Sequence, residues 1–231
     1  MVKVGVVVPV LSQYKMAVDL LASLRSEHSL EVFVIPQYRD QLPLAGAWNR
    51  GADECWRKKC DFALICNDDI LLSPFAIDNM VEALCDLSWD GILVSGQNAR
   101  GLMAPDDVLT VESKFKPERS ITGGPDFACF MITRETVALA GRFDENFYPA
   151  YFEDNDYHRR IILAGYEASA VPAATMYHYG SQTQIATGTP VVPSMMFEKN
   201  RAYFVQKWGG VPGHETFTVP FNDPTKTIKD W

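Results

Sequence analysis

Hydrophobic positions in the first 96 residues form short continuous runs that alternate with stretches of helical periodicity. The runs lie at 4–8, 30–35, 62–66 and 91–95, and β-branched residues are frequent in them, as in strands that are covered on both faces. Between the runs, apolar residues recur every three or four positions over 15–26, over 44–58 and after Ser73-Pro74, which predicts three helices. This alternation predicts an α/β fold with a mostly parallel, Rossmann-like sheet that is flanked by helices.

From residue 97 onward the pattern is less regular. Residues 97–126 are rich in Pro, Gly, Asp and Lys and predict loops with one short strand at 108–111. Strands are also predicted at 127–132 and 168–171, helices at 134–140, 154–164 and 195–208, and irregular chain at 176–194 and over the last twenty residues. No linker separates these parts. We therefore expect a single domain over 1–231, with a nucleotide-binding half (1–96) and a loop-rich acceptor-side half (97–231).

Composition and charge narrow the class of protein. The 231 residues are 47% hydrophobic and 22% charged, which is ordinary for a globular chain, and no apolar run approaches the ~18 residues of a membrane span. With 21 basic and 29 acidic residues the net charge is -8, so free nucleic acid is not the expected partner. The five cysteines form neither a CxxC nor a zinc pattern and predict buried thiols in a cytoplasmic protein.

Two adjacent carboxylates follow the predicted strand at 62–66, in Asn67-Asp68-Asp69. Ligands of open parallel sheets bind at the carboxyl ends of the strands. Adjacent carboxylates repel each other, and a hard divalent cation that bridges to phosphate oxygens would balance them. A polar turn in which Asp is simply a good turn residue is an equally open interpretation.

A second acidic cluster, Glu153, Asp154 and Asp156, lies at the predicted start of a helix and beside several aromatic residues. Acidic residues at a helix N-terminus interact favourably with the helix dipole, and Asp156 and Arg160 have the spacing of a surface ion pair. That explanation accounts for one or two acids better than for three. A carboxylate over an aromatic wall is suited to general-base chemistry on a sugar hydroxyl.

The third candidate is His178, which follows a predicted strand and opens a loop rich in Gly, Ser and Thr. A lone histidine is more often structural than a metal ligand, but its position after a strand modestly favours a ligand role. The chain has no GxSxG motif, so a serine nucleophile is not supported.

In their order and spacing, these clusters resemble the family 2 glycosyltransferases of the GT-A fold, especially the rhamnosyltransferase-like branch, over about residues 3–208. The motifs that carry the resemblance are VGVVVPV at 4–10, GAWNRG at 46–51, NDDI at 67–70, GRFDE at 141–145, FEDND at 152–156 followed by Arg160, AGY at 164–166, His178, and YFVQKWG at 203–209. Each motif alone is weak, whereas the ordered series is fairly specific.

The resemblance implies transfer of a hexosyl or deoxyhexosyl group from a nucleoside diphosphate sugar to a hydroxyl acceptor, with inversion at the anomeric carbon. It implies Asp154 as the catalytic base, with Glu153 as its rival, and Asp69 and His178 as ligands of Mn²⁺ or Mg²⁺. The residues assigned to the nucleotide sugar are Pro9, Val10, Asn49, Asn67, Asp68 and Asp126.

Two departures from the family pattern affect these assignments. The family usually has an Asp after its second strand, but here Val34-Ile35-Pro36-Gln37 stands there, which leaves the nucleotide base open. Asn67 replaces the first acid of a strict DxD motif, so the metal is expected to bind weakly without the donor.

The acceptor and two other functions stay open. A glycan is the preferred acceptor, and a modified nucleic-acid base or a viral protein is the alternative. One other function is a nucleotidyltransferase, against which the absence of a Gly-rich, Arg- or Lys-bearing loop after the first strand counts. The other is a non-catalytic carbohydrate-binding protein of the same fold.

Overall fold

The predicted alternation of strands and helices is present in a computed structural model that describes residues 1–11, 14–86, 90–114, 124–180, 182 and 195–231. In chain order its elements are β1 (Lys3–Val10), α1 (Tyr14–Ser23), β2 (Ser29–Pro36), α2 (Gln37–Asp40), α3 (Leu44–Arg57), β3 (Phe62–Cys66), β4 (Ile70–Leu72), α4 (Ala76–Cys85), β5 (Gly91–Asn98), α5 (Pro105–Val108), β6 (Cys129–Ile132), α6 (Arg134–Ala140), α7 (Glu153–Leu163), β7 (Glu167–His178), α8 (Met195–Trp208) and a 3-10 turn at Pro220–Asn222.

Within the described residues the strands form one seven-stranded sheet in the order β2-β1-β3-β6-β5-β7-β4. Strands β1, β2, β3, β5 and β7 run in the same direction, which agrees with the predicted Rossmann-like front half. Strands β4 and β6 run the opposite way and make antiparallel pairs with β7, β3 and β5. Five of the seven strands therefore run in one direction, which confirms the predicted Rossmann-like, mostly parallel sheet, and the two reversed strands add antiparallel pairs to it.

Helices cover both faces of the sheet, as predicted. On one face, alternate residues of β1 such as Val4 and Val6 pack with apolar residues of α1 and α4. On the other face, Val7 packs in a second cluster with Trp48 of α3 and Tyr157 of α7. Because successive side chains of a strand point to opposite faces, the continuous apolar run of β1 is what both layers require.

The back half departs from the prediction in three places. The expected strand at 108–111 is absent: Pro105–Val108 is one turn of helix with Pro at its start, and the chain after it is irregular. The short strand Ile70–Leu72 and the extension of β7 to His178 were not predicted. Most of the stretch expected to be irregular, 181 and 183–194, lies outside the described residues.

No described helix combines the length and the apolar composition that a membrane crossing needs.

Candidate active site at one edge of the sheet

Strand ends from both halves of the chain meet at one edge of the sheet, here called the C-edge. The carboxyl ends of β1, β2, β3, β5 and β7 lie there, and so do the amino ends of β4 and β6, because these two strands run the opposite way. The C-edge therefore collects the predicted residues Pro9, Val10, Asn67, Asp68, Asp69, Asp126 and His178.

Asp69 and His178 form a direct pair at the C-edge. The Asp69 Oδ1 atom lies 3.2 Å from His178 Nε2, and the Tyr179 N–H donates to the Asp69 carbonyl oxygen at 3.0 Å. Strand register produces this contact, because Ile70 pairs with His178 in the β4–β7 ladder. Burial lowers the pKa of His178, but the hydrogen bond and charge of Asp69 outweigh burial and raise it overall.

The neighbouring Asp68, which follows β3, is buried beside Leu11 at the end of β1. Its side chain is 7% exposed, and its Oδ2 atom has no hydrogen-bond partner among the described residues. Burial and the charge of Asp69 raise the pKa of Asp68 to about 7, although the Leu11 backbone N–H acts in the opposite direction. Asp68 is thus a carboxyl with an unused oxygen beside the backbone that the sequence assigns to the nucleotide.

The donor set at Asp69 and His178 fits a divalent cation that shares its ligands with a substrate. The pair supplies one carboxylate oxygen and one imidazole nitrogen. Among the described residues no group of three or more His, Cys, Asp or Glu side chains is arranged to hold a metal ion. Mg²⁺ and similar ions in phosphate-transfer sites commonly use one or two protein ligands and complete their shell with phosphate oxygens and water.

Asp126 connects this pair with the second acidic cluster. Its backbone N–H donates to Ser95 Oγ at 2.8 Å, and its Oδ1 accepts from the Ala128 N–H at 2.9 Å. The Asp126 charge contributes to the raised pKa values of both His178 and Asp154. It therefore lies near both predicted centres of the site.

Helix α7 carries Glu153 and Asp154 at its N-terminus, where the charge of the C-edge residue Asp126 acts on Asp154. The two residues before the helix, Tyr151 and Phe152, have positive φ angles of 83° and 74°. Aromatic residues seldom adopt that conformation, and strained backbone of this kind is frequent at functional sites.

The two carboxyls have different surroundings. Glu153 is 4% exposed, and its Oε2 has no hydrogen-bond partner among the described residues. Burial and the charge of Asp154 raise its pKa well above the ordinary value. Asp154 is half-buried, and burial followed by the charges of Asp126 and Asp156 raises its pKa. Asp154 thus combines access with a raised pKa.

Asp156 belongs to a buried ionic network and not to the open site. It accepts from Arg160 Nε at 2.9 Å, Lys207 Nζ at 2.7 Å and Trp208 Nε1 at 2.8 Å, and its side chain is fully buried. Lys207 also contacts Asp144 at 2.8 Å. The spacing of Asp156 and Arg160 predicted a surface pair; the pair exists, but it is buried.

Asn49 is held by the segment 143–145. Its Nδ2 donates to the Phe143 carbonyl oxygen at 2.9 Å and to Glu145 Oε1 at 2.8 Å, and its Oδ1 accepts from the Phe143 N–H at 2.9 Å. The side chain is 4% exposed. The described contacts of Asn49 are thus structural, and its predicted role at the nucleotide stays a prediction.

Solved structures share this architecture. The catalytic domain of Drosophila β1,4-galactosyltransferase 7 with xylobiose matches at a TM-score of 0.57 and 14% identity, over 94% of this chain and 83% of that one. GalNAc-T7 with UDP, GalNAc and Mn²⁺ matches at 0.58 and 14% identity, over 90% and 49%. The mannosyltransferase PcManGT from Pyrobaculum calidifontis with GDP-Man and Mn²⁺ matches at 0.51 and 18%, over 87% and 61%. The fold is that of the GT-A glycosyltransferases.

Sequence comparison gives a shorter match. A stretch of 86 residues is 37% identical to a galactofuranosyl glycosyltransferase of Leishmania donovani and covers 37% of this chain. It spans only 19%, about a fifth, of the length of that relative. No protein-family model matches the chain.

On this GT-A fold, the C-edge also carries residues that the sequence analysis missed. Asn98 Oδ1 accepts from the backbone N–H groups of His178 at 3.3 Å and Arg100 at 3.0 Å. A cleft of about 180 Å³ opens between α1 and the β4–β7 ladder and is lined by Lys15, Met16, Asp19, Asp69, Ile70, Leu71 and Tyr179. Nothing in the local sequence marks Asn98 or Lys15, because their importance depends on strands that are distant in the chain.

Proposed function

We propose that the chain is an inverting, metal-dependent glycosyltransferase of the family 2 type that moves a sugar from a nucleoside diphosphate sugar to a hydroxyl acceptor. The observation that carries this proposal is the convergence of three features on one edge of a GT-A fold: the Asp69–His178 pair, Asp126, and Asp154 at the start of α7. In such a transfer these residues would act where charge in the donor or the acceptor changes.

Asp69 and His178 would hold a divalent cation, Mn²⁺ or Mg²⁺, whose chemistry is to neutralise negative charge on the departing diphosphate. Manganese accompanies nucleotide sugars in related folds, namely GDP-Man in the mannosyltransferase and UDP-Gal in a substituted form of the Drosophila galactosyltransferase. Asp68, with a pKa near 7, and the backbone of Pro9 and Val10 would bind the nucleotide. Asn67 lies beside them, where its N–H donates to the Ala128 carbonyl oxygen at 2.7 Å.

Asp154 is the proposed base. As the acceptor oxygen attacks the anomeric carbon, the Asp154 carboxylate takes the acceptor proton, and the electron pair of the broken C–O bond leaves with the diphosphate. A single displacement inverts the anomeric configuration and requires no covalent intermediate. Glu153 is the weaker candidate because it is almost completely buried and its pKa lies well above normal.

Tyr151, just before α7, supports a carbohydrate acceptor because its ring is partly exposed. That ring packs against Phe197 at a centroid distance of 5.4 Å, whereas Phe152 is buried in the same cluster. The Drosophila structure holds xylobiose, which is likewise a carbohydrate. All five cysteines are free thiols, which supports a reducing, cytoplasmic location.

A thermal-shift screen of nucleotide sugars, with and without Mn²⁺, tests the donor assignment. A donor at ~100 times its Kd should raise Tm by about 5 °C or more, and EDTA should remove the shift.

Product analysis then tests transfer of the sugar to an acceptor. Asp154→Asn should keep the shift but lose ~100-fold or more in turnover, whereas Asp90→Asn, an exposed control at the opposite edge, should match the parent protein. Binding without transfer to any acceptor would favour a non-catalytic carbohydrate-binding protein.

A further inference from the structure

Two cationic side chains lie beside the Asp69–His178 pair although the C-edge is strongly acidic. Arg100 follows β5 and Lys15 begins α1, and both side chains are exposed. We propose that Arg100 and Lys15 form an anion site beside the Asp69–His178 pair that binds the diphosphate of the donor. This inference rests on the proposed function and assigns residues to which neither the motifs nor the comparisons point.

Arg100 is fixed in place by the backbone around it. Its N–H donates to Asn98 Oδ1 at 3.0 Å, and the same oxygen accepts from the His178 N–H at 3.3 Å. The preceding Ala99 N–H donates to the Met176 carbonyl oxygen at 2.8 Å. The turn that carries Arg100 is therefore attached directly to the end of β7, and the Arg100 charge acts on the His178 imidazole.

Gly180 makes room for the Arg100 guanidinium. Gly180 is buried and has a φ of 69°, and a Cβ atom at this position would collide with Arg100 Nη1. The guanidinium thus lies against bare backbone two residues after His178. Among the described residues no carboxylate lies within ion-pair distance of it. A cation in that condition is available to an anionic ligand.

Lys15 lies in the first turn of α1, close to Asp69. It lines the cleft of about 180 Å³ that also contains Asp69 and Tyr179. Asp19 lies one helical turn further along α1 and lines the same cleft, yet the two residues form no ion pair in the part of the chain that the structure describes. Lys15 therefore lines the cleft beside Asp69 without an ion-pair partner among the described residues.

The chemistry of the transfer gives both cations a role. When the anomeric C–O bond breaks, its electron pair stays on the diphosphate, which gains one negative charge, while the acceptor proton passes to Asp154. Positive groups that are already positioned beside those oxygens stabilise the charge as it develops. Arginine is well suited to this role because its guanidinium can donate two parallel hydrogen bonds to phosphate.

Binding of inorganic pyrophosphate in Mg²⁺ to the full chain, measured by titration calorimetry, tests the anion site without requiring transfer. Arg100→Gln should weaken the affinity by roughly tenfold, and Lys15→Met should weaken it severalfold. Gly180→Ala should reproduce much of the Arg100 effect by displacing the guanidinium. Arg57→Gln is the matched control, because Arg57 is an exposed arginine near the opposite edge of the sheet. An unchanged Tm for Arg100→Gln would exclude unfolding as the cause.

Two outcomes would overturn the assignment. One is a parent protein that does not bind magnesium pyrophosphate, and the other is an affinity of Arg100→Gln or Lys15→Met equal to that of Arg57→Gln. The proposed function fails separately. If the parent protein binds pyrophosphate through Arg100 but transfers sugar from no nucleotide donor, the anion site is supported and the glycosyltransferase activity is rejected.

Discussion

At the scale of single residues, Glu153 and Asp154 are neighbours in the chain with different surroundings. Glu153 is buried with an unpartnered oxygen, whereas Asp154 is accessible. A raised pKa in the folded state means that the folded protein holds a proton that the unfolded chain has released. Glu153 therefore stabilises the fold at low pH, and this contribution declines as the pH rises from its unfolded value of about 4.3 through its folded value.

Glu153→Gln provides a direct test of this protonation behaviour. The amide imitates the neutral acid and does not titrate, so the variant should gain stability relative to the parent as the pH rises. Urea denaturation at pH 5 and pH 8 measures the difference in the free energy of unfolding. The same difference at both pH values would contradict the buried, titrating carboxyl.

For Asp154, the raised pKa affects turnover. A base must be deprotonated to act, so kcat/KM should fall about tenfold per pH unit below its pKa. Because burial and two nearby carboxylates raise that pKa, the acid limb should have its midpoint above the ordinary Asp value of about 3.9. A pH–rate profile of the parent locates the limb, and the residual activity of Asp154→Asn should lack it. A midpoint at or below the ordinary Asp pKa would contradict the assignment of Asp154 as the base.

At the scale of secondary-structure elements, Asn49 joins α3 to the segment before α7. Asn49→Ala should cost roughly 2 kcal/mol in the free energy of unfolding, since it leaves the buried Phe143 amide and carbonyl without their partner. Arg50→Ala, the adjacent residue in an exposed ion pair with Asp40, should cost less than about 1 kcal/mol. Urea denaturation measures both. A loss of nucleotide affinity without a loss of stability would instead support the predicted nucleotide-facing role.

The elements that sequence predicts well are those whose signal is local. The apolar run of β1 and the spacing in α4 required no knowledge of distant residues. Ile70–Leu72 was missed because a three-residue strand has almost no periodicity, and it exists only by pairing with β7. Residues 108–111 resemble a strand in composition, but the preceding Pro105-Asp106-Asp107 favours a helical turn.

The candidate site divides in the same way. The acids of 67–69 and 153–156 stand out because they follow or begin regular elements. The hydrogen bond between Asn49 and Phe143, which is 94 residues away, cannot be predicted from the sequence. Arg100 is equally hidden, because its position depends on Gly180 and Asn98, which no spacing rule connects.

At the scale of the whole molecule, Lys207 joins α8 to the site-bearing helix and to the 141–147 segment. Its ammonium lies 2.8 Å from Asp144 and 2.7 Å from Asp156, and all three side chains are at most 1% exposed. Burial raises the pKa of Asp144, but the Lys207 charge outweighs it, and the net pKa is lowered. This carboxylate therefore adds stability above its unfolded pKa, and the contribution is lost as the pH falls toward the folded value.

Lys207→Met should be strongly destabilising, by about 3 kcal/mol or more, because it removes the cation that is paired with the buried Asp144 carboxylate. Arg142→Met removes a partly exposed ion pair with Asp53 and should cost less than about 1 kcal/mol. Urea denaturation of both variants at pH 7 measures the contrast. Equal losses would mean that the buried network contributes no more than a surface pair.

The sheet order also has a consequence for folding kinetics. Among the described residues β4 pairs only with β7, and β5 pairs only with β6 and β7, so the strands of residues 1–96 do not complete a sheet by themselves. Asp69 meets His178 only after a segment more than a hundred residues downstream has docked. Such long-range closure is slow relative to local helix formation. In a refolding experiment, nucleotide affinity should therefore return with the slowest phase, well after most helical circular dichroism has recovered.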